Sequence, residues 1–167
     1  MTTHCPLFVD RAKVTANCIV ANSNVRPATS LADIRQVLGI RASDNLQHAA
    51  LIIVVEGNED RISLDALLSH HSSVLAEALR TGALTFETLG GASKLPYALS
   101  LLRALVCNYF VVLDNDDEGQ KAFREAQTSL LLTHANVCFT NCLELKQSEL
   151  EDLFDANLYV KYFTNEY

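Results

Sequence analysis

The sequence contains no long hydrophobic run, no closely spaced pair of cysteines and no surplus of basic residues. Its apolar stretches fall short of the roughly 18 residues that a membrane-spanning helix needs, and residues 1–10 lack the basic and apolar regions of a secretion signal. The five cysteines are odd in number and form no C-x-x-C pair, which argues against a disulfide framework or an ordinary zinc site. Cys107 and Cys138 lie in or beside apolar runs and are expected in the core. These absences predict a cytoplasmic protein that is not associated with a membrane.

The charge of the chain is low in bases and unevenly distributed. Thirteen Lys and Arg against twenty Asp and Glu give a net charge of −7, and domains that coat phosphate backbones usually carry a basic footprint instead. Residues 56–60, 114–118 and 144–155, however, hold twelve of the acids and one lysine, so the rest of the chain carries +4. The location of the acids therefore points to cation sites on an otherwise slightly basic domain.

From residue 49 onward, apolar strands alternate with amphipathic helices. The runs 49–55 and 109–113 are continuous and rich in β-branched or aromatic residues, which is typical of parallel strands covered on both faces. Shorter strands are predicted at 84–89 and 136–140, with helices between them. This alternation predicts an α/β fold with a mostly parallel four-stranded sheet flanked by helices. In such a sheet, ligands bind at the carboxyl ends of the strands.

The first 48 residues are weakly patterned and are treated as an N-terminal extension. A strand is predicted at 14–20 and turns at 22–30, followed by a helix at 31–38 that Ser30 caps and Gly39 ends. Residues 49–167 form the second region, which ends in helices predicted at 148–154 and 157–163.

Carboxylates follow two of the predicted strands. Glu56 comes directly after the first strand with Asp60 one helical turn later, and Asp114 and Asp116 flank Asn115 after the third. In extended chain, alternate residues face one side, and crowded carboxylates repel one another unless a divalent cation is bound. All-oxygen sites suit Mg²⁺ or Mn²⁺, which commonly assist displacement at phosphorus. Acids at such junctions also serve as helix caps, but two clusters that each follow an apolar strand favour a metal site.

The two clusters resemble the motifs of a known domain family. Val54–Asp60 is similar to the E-G-x-x-D opening of Toprim domains, and Leu113–Gly119 resembles their D-x-D-x-x-G motif. The resemblance covers residues 49–140 and implies the Toprim fold. Weaker similarities point to the overcoming-lysogenization-defect (OLD) ATP-dependent nucleases. They comprise a glycine-rich link at 90–94, a late acidic helix at 150–154 and a lead-in segment at 38–46.

The resemblance implies a role for each acid of the two motifs. Glu56 is expected to act as a general acid/base or as a metal-bound carboxylate, and Asp60 as a further ligand or an orienting group. Asp114 and Asp116 are expected to hold Mg²⁺ or Mn²⁺. These expectations make residues 49–167 a Toprim catalytic domain.

The resemblance also implies roles for four residues outside the two motifs. OLD-type nucleases use a second metal, for which Glu151 and Asp152 are the candidates here. Lys94 and Lys161 are candidates to contact a phosphate of DNA, although a plain surface role is the simpler interpretation of each lysine.

The sequence lacks the ATPase that OLD-type proteins carry. No G-x-x-x-x-G-K-[ST] loop occurs in the chain, so residues 1–48 are interpreted as a remnant of an ATPase-linked region. The expected function is metal-dependent cleavage of DNA together with an ATPase partner or region, with a homodimer as a further expectation. The alternative is a catalytically weak Toprim module that binds or assembles with other proteins.

A third interpretation lies outside this family. Response-regulator receivers also gather carboxylates at strand ends to bind Mg²⁺. They place adjacent acids after the first strand and a lysine after a late strand, whereas here Gly57 follows Glu56 and the next late lysine is Lys146. The sequence therefore fits a receiver less well.

Overall fold

The N-terminal part of the chain forms a hairpin and one helix. The structure, a computed structural model, describes residues 3–21, 23–40, 46, 49–155 and 157. Strands β1 (Cys18–Ala21) and β2 (Asn24–Pro27) pair antiparallel, and helix α1 (Leu31–Leu38) follows. As predicted, the Ser30 hydroxyl caps α1 by accepting from the Asp33 amide at 3.1 Å, and Gly39 ends the helix at a φ of 68°.

The predictions for residues 14–30 were partly wrong. Val14–Ala16 form a 3₁₀ turn, because Nδ2 of the Asn17 side chain donates to the carbonyls of Asp10 and Val14 and holds the chain in a turn. The turn-forming residues that follow contain a full strand, β2, which pairs with β1.

This N-terminal part packs on the loop that precedes the third strand of the central sheet. Val106, which is fully buried, joins a cluster with Ile19, Leu31 and Ile34. The buried Arg35 donates to the Val106 carbonyl at 3.2 Å. This contact lies at the amino end of the strand, and therefore away from the edge where ligands of a parallel sheet bind.

The central sheet has four parallel strands, as predicted. The strands are β3 (Leu51–Val55), β4 (Leu84–Thr88), β5 (Tyr109–Leu113) and β6 (Val137–Phe139). Their order across the sheet is β4-β3-β5-β6, and every neighbouring pair is parallel. The helices that flank them are α2 (Asn58–His71), α3 (Ser73–Arg80), α4 (Leu95–Ala104) and α5 (Asp117–Thr128).

The two faces of the sheet are covered to different degrees. Ile52, Val54 and Val111 are inaccessible to solvent and pack with α4 and α5 in the main core. On the other face, Ile53 and Phe110 are only half-buried beside α2 and α3. The expectation of strands covered on both faces therefore holds for one face and only in part for the other.

Some predicted elements differ from the structure near the C-terminal end. The predicted helix 148–154 is a short 3₁₀ turn, Leu150–Leu153, and Cys138 is exposed, although Cys107 is buried as expected. Residues 41–45 of the lead-in segment and residues 158–163 of the last predicted helix lie outside the described residues. Within the described part of the chain, no helix is long and apolar enough to cross a membrane.

Candidate functional site

Glu56 and Asp114 meet where the strand order of the sheet reverses. The strand after β3 in sequence, β4, lies on one side of it, and the next, β5, lies on the other. Such a reversal opens a crevice at the carboxyl ends of the two central strands. Glu56 follows β3 and Asp114 follows β5, and the Asp114 amide donates to Glu56 Oε1 at 3.0 Å. The structure therefore brings the leading acids of the two motifs into contact.

A double-glycine loop after β4 holds the backbone of Glu56. The amides of Gly90 and Gly91 both point to the Glu56 carbonyl, at 2.8 and 3.3 Å. Both glycines have positive φ angles, 66° and 119°, which residues with a Cβ rarely adopt. Lys94 Nζ donates to the Gly90 carbonyl at 2.9 Å, so its charge lies on the loop that contacts Glu56.

Asp60 and Asp116 are engaged as helix caps. Asp60 Oδ2 accepts from the Gly57 amide at 2.7 Å, and Asp116 Oδ1 accepts from the Gly119 amide at 2.7 Å. These bonds satisfy amides at the first turns of α2 and α5, which have no partner within the helix. The capping interpretation thus describes these two carboxylates, whereas the carboxylates of Glu56 and Asp114 accept no hydrogen bond from the first turn of a helix.

The four carboxylates still act on one another electrostatically. Burial is the main cause that raises the pKa of Glu56 to about 7, with smaller contributions from the charges of Asp114, Asp116 and Asp60. Burial also raises the pKa of Asp114 to about 6, assisted by the charges of Asp60, Glu149 and Glu151. The pKa of Asp60 is raised in the same direction, again mainly by burial. Among the described residues, the ion pairs are Arg26–Asp33 and Arg80–Glu77, and neither involves an acid of this site.

These raised pKa values predict that the metal-free protein becomes less stable as the pH rises. Glu56 and Asp114 bind protons more tightly in the folded chain than at their ordinary pKa values of 4.5 and 3.8. The folded state therefore holds more protons than the unfolded state between about pH 4 and pH 7, and the free energy of unfolding falls across that window.

Urea unfolding in a chelating buffer at about pH 5 and about pH 7.5 measures this effect. We expect a lower urea midpoint at the higher pH, and a smaller difference in Glu56→Gln. A midpoint that rises with pH in the wild type, unchanged by the substitution, would contradict the prediction.

Thr140 and Ser148 form a buried polar pair behind Asp114 that sequence reasoning missed. The Thr140 hydroxyl is 2.7 Å from the Ser148 carbonyl and 3.3 Å from Asp114 Oδ1, and it accepts from the Asn115 amide at 3.2 Å. The Ser148 hydroxyl donates back to the Thr140 carbonyl at 2.7 Å, and a β-bridge joins Ser148 to Asn115. A small polar residue directly after a short strand is the one signal in the sequence that marks Thr140.

Replacing Thr140 with Val is expected to destabilise the protein and weaken metal binding. The isosteric change leaves the Ser148 carbonyl and the Asn115 amide with fewer partners, which costs about 1–3 kcal/mol of unfolding free energy. Urea denaturation and calorimetric titration with Mn²⁺ measure the two effects. Thr85→Val, at a partly buried position of β4, is the matched control. If both variants unfold at the wild-type urea concentration, the polar pair does not support the site.

The other candidate residues, the late acids and Lys161, differ in how they relate to this cluster. Glu151, although exposed, acts electrostatically on both Asp60 and Asp114. Asp152 instead accepts from the Glu149 amide at 2.9 Å and caps its own turn. Glu149, which the sequence did not single out, also contributes to the raised pKa of Asp114. Lys161 lies outside the described residues.

The residues at this edge fit a hard divalent cation. Within the described ranges, no group of three or more His, Cys, Asp or Glu side chains is arranged to hold a metal ion, and Asp60 and Asp116 bond to amides at their helix starts instead. Mg²⁺, however, commonly uses only one or two protein carboxylates and retains several waters. Glu56 and Asp114 supply two such oxygen donors, and a bound cation would stabilise their charged forms, which burial and the neighbouring acids disfavour.

The sheet and its paired acids define a Toprim-type α/β domain. Residues 48–116 match the family model described as "Overcoming lysogenization defect protein-like, TOPRIM domain". This part of the chain is therefore an OLD-like Toprim domain, which confirms the resemblance of its acidic motifs. A comparison with curated proteins found no match. The match ends at Asp116, so Thr140, Ser148 and the late acids are connected to the site by geometry alone.

Proposed function

We propose that the protein is a divalent-metal-dependent nuclease that cleaves phosphodiester bonds in DNA. The observation that carries this proposal is the contact between Glu56 and Asp114 at the carboxyl ends of two neighbouring parallel strands. Both acids belong to the segment that matches a domain of a nuclease-type family. Among the described residues, neither carboxylate forms an ion pair with a base. Two such half-buried carboxylates are poor for stability but well suited to holding a cation.

In this proposal, each group at the edge has a separate task. Glu56 and Asp114 hold Mg²⁺ or Mn²⁺, and the cation stabilises negative charge on the reacting phosphate when it is bound. The pKa of Glu56, about 7, also suits proton transfer near neutral pH, so this residue has two candidate roles. Asp60 orients the loop after β3 through its bond to the Gly57 amide, and Asp116 fixes the start of α5.

Two further residues are assigned on weaker grounds. Lys94, held near Glu56 by the Gly90 carbonyl, is proposed to contact a phosphate, and Lys161 is proposed to do the same. Glu151 is the better placed of the two candidates for a second metal, because Asp152 already caps a turn.

The partners of the protein are part of the proposal as well. The absence of a phosphate-binding loop suggests that an ATPase acts together with this domain. The modest +4 outside the acidic stretches suggests weak DNA affinity for the chain alone, which a partner or a homodimer would increase. Light scattering with and without DNA tests the homodimer.

A plasmid assay tests the proposed activity. Supercoiled plasmid is incubated with the full chain in Mg²⁺, in Mn²⁺ or in a chelator, and nicked and linear products are separated on a gel. Products that form only with metal are expected. Single-stranded DNA and RNA of equal length reveal which nucleic acid is preferred.

The second candidate function is a catalytically weak module for assembly in a DNA-processing complex. The missing phosphate-binding loop and the half-covered face of the sheet favour it. Calorimetry separates the two functions: Mn²⁺ binding with no cleavage of any nucleic acid would contradict the nuclease and favour the module.

A further inference from the structure

Strand β4 forms one edge of the central sheet, and in the described part of the chain it pairs with β3 alone. Edge strands usually carry a proline, a lysine or a bulge that discourages pairing with another chain. The five residues of β4, Leu84–Thr88, include neither proline nor lysine, and their register with β3 is unbroken. Their one charged residue, Glu87, is half-buried. The strand is therefore suited to accept a further strand.

Backbone hydrogen bonds fix which residues of β4 face the open edge. The Ala83 carbonyl accepts from the Leu51 amide at 3.1 Å, and the Leu89 amide donates to a carbonyl of β3 at 2.9 Å. The N–H and C=O of one residue point to the same side of a strand, and successive residues alternate. Thr85 and Glu87 therefore face β3 as well. The residues whose backbone groups face outward are Leu84, Phe86 and Thr88.

An open cleft of about 510 Å³ lies beside this edge, between β4 and the helices α2 and α3. Leu84 and Phe86 line it on the strand, while Arg61 of α2 and Arg80 of α3 line it on the helices. Phe86 is only half-buried, and Thr88 is exposed. The two helices thus leave space along the strand on this face of the sheet.

We propose that β4 pairs antiparallel with β4 of a second copy, so that the two four-stranded sheets join into one. The outward-facing residues are symmetric about Phe86. When Phe86 lies opposite its own counterpart, Leu84 lies opposite Thr88 at both ends. Each of these three pairs exchanges two backbone hydrogen bonds, six in all, and no outward N–H or C=O of β4 lacks a partner. The two phenylalanines also form a cross-strand aromatic pair.

The other face of the strand fits the same register. Thr85 lies opposite Glu87 of the second copy, so no like charges are directly opposed. A pairing centred on Glu87 would oppose two carboxylates, and one centred on Thr85 would use only two of the three outward-facing residues. The strand is therefore complementary to itself, which favours a second copy over an unrelated strand as the occupant.

This pairing gives the homodimer a defined interface and leaves the candidate site open. Because the joined strands are antiparallel, the carboxyl ends of the two sheets lie at opposite edges of the dimer. The acids that follow β3 and β5 are then remote from the two-fold axis in each copy. The proposal rests on the edge of β4 and not on the nuclease activity.

Amide hydrogen exchange, followed by NMR in dilute and in concentrated samples, reports on each residue of β4 separately. The amides of Thr85 and Glu87, which face β3, should be protected in both samples. The amides of Leu84, Phe86 and Thr88 should exchange quickly when dilute. They should exchange at least about tenfold more slowly when concentrated, because pairing must open before they react. Light scattering should show a dimer mass over the same concentration range.

Thr88→Pro tests the edge itself, because it removes an outward N–H that the pairing with β3 does not use. Edge strands tolerate proline at such positions. By symmetry, two of the six proposed bonds are lost, so the dissociation constant of the dimer should rise by about tenfold or more. Thr88→Val keeps the N–H and is the matched control, which should dimerise like the wild type. Phe86→Lys, which opposes two positive charges at the two-fold axis, should also weaken the dimer and covers the case in which the proline variant folds poorly.

Three results would overturn the proposal. The first is a monomer at every concentration, with fast exchange at Leu84, Phe86 and Thr88. The second is protection of these amides that does not change with concentration, because the chain itself would then cover the edge. The third is a dimer that neither Thr88→Pro nor Phe86→Lys weakens, which would place the interface elsewhere. All three can be read in a protein that cleaves no DNA.

Discussion

Replacing Asp114 with Asn is expected to reduce metal-dependent DNA cleavage by more than about 100-fold, since even residues that only support metal ligands typically cost 10–100-fold. The substitution keeps the shape of the side chain but removes its charge. The Asp114 backbone amide can still donate to Glu56, so the local fold is retained. Because the charge of Asp114 helps to raise the pKa of Glu56, that pKa should also fall in the variant.

Glu56→Gln is the companion substitution at the other side of the contact. If Glu56 transfers a proton, its loss should reduce the rate by about 10²–10⁴-fold. If it only binds metal, a higher Mn²⁺ concentration should restore a good part of the activity, because a weakened metal site can still be filled. The dependence of the rate on Mn²⁺ thus separates the two roles that remain open for Glu56.

Glu125→Gln is the matched control for these two variants. Glu125 is exposed near the end of α5 that is remote from the acids, and the chemical change is the same as in Glu56→Gln. Its cleavage rate and Mn²⁺ affinity should equal those of the wild type. Wild-type rates in Asp114→Asn and Glu56→Gln as well would remove the basis for the proposed nuclease site.

The contact between Glu56 and Asp114 could be predicted from the sequence because it depends on few assumptions. The strands β3 and β5 are continuous apolar runs, and β5 spans the predicted residues 109–113. Parallel strands in one sheet place their carboxyl ends at a common edge, so acids that follow two such strands are brought near each other. Only the strand order, β4-β3-β5-β6, was needed to make them direct neighbours.

The orientation of the second acid in each motif could not be predicted in the same way. The carboxylates of Asp60 and Asp116 could either bind a shared cation or accept a hydrogen bond from an unpaired amide at the start of a helix. The amides of Gly57 and Gly119 lie only three residues away and can be reached without long-range order. The side chain of Asp116 is the N-cap of α5, which begins at Asp117.

Thr140 and Ser148 were missed because their partners are distant in sequence or outside regular elements. The bridge between Asn115 and Ser148 joins residues that no local pattern connects. The acids around Ser148 resemble the start of a helix, but the chain forms only one 3₁₀ turn there. The hydroxyl groups of Thr140 and Ser148 each bond to the carbonyl of the other residue. These two bonds form only after the sheet has brought the two residues together.

Gly119→Ala is expected to be the most destabilising change in the second motif. A Cβ at this position would lie 2.3 Å from the Asp114 carbonyl oxygen and 3.2 Å from Asp116 Oδ1. The first of these is a backbone atom, which cannot move away without shifting the whole loop after β5. Such overpacking typically costs about 1–3 kcal/mol of unfolding free energy. The space beside Asp114, rather than an unusual backbone angle, therefore requires glycine in the D-x-D-x-x-G motif.

The same shift should reduce cleavage, because it moves the Asp114 amide that donates to Glu56. Urea denaturation and the plasmid assay measure the two effects. Gly57→Ala is the matched control for stability, since its new Cβ would first meet the end of the Glu59 side chain at 3.2 Å, which can rotate away. We expect the Gly57 variant to unfold close to the wild-type urea midpoint and the Gly119 variant well below it. Equal midpoints for both variants would mean that the loop after β5 yields easily, and that the close approach of α5 does not hold Asp114 in place.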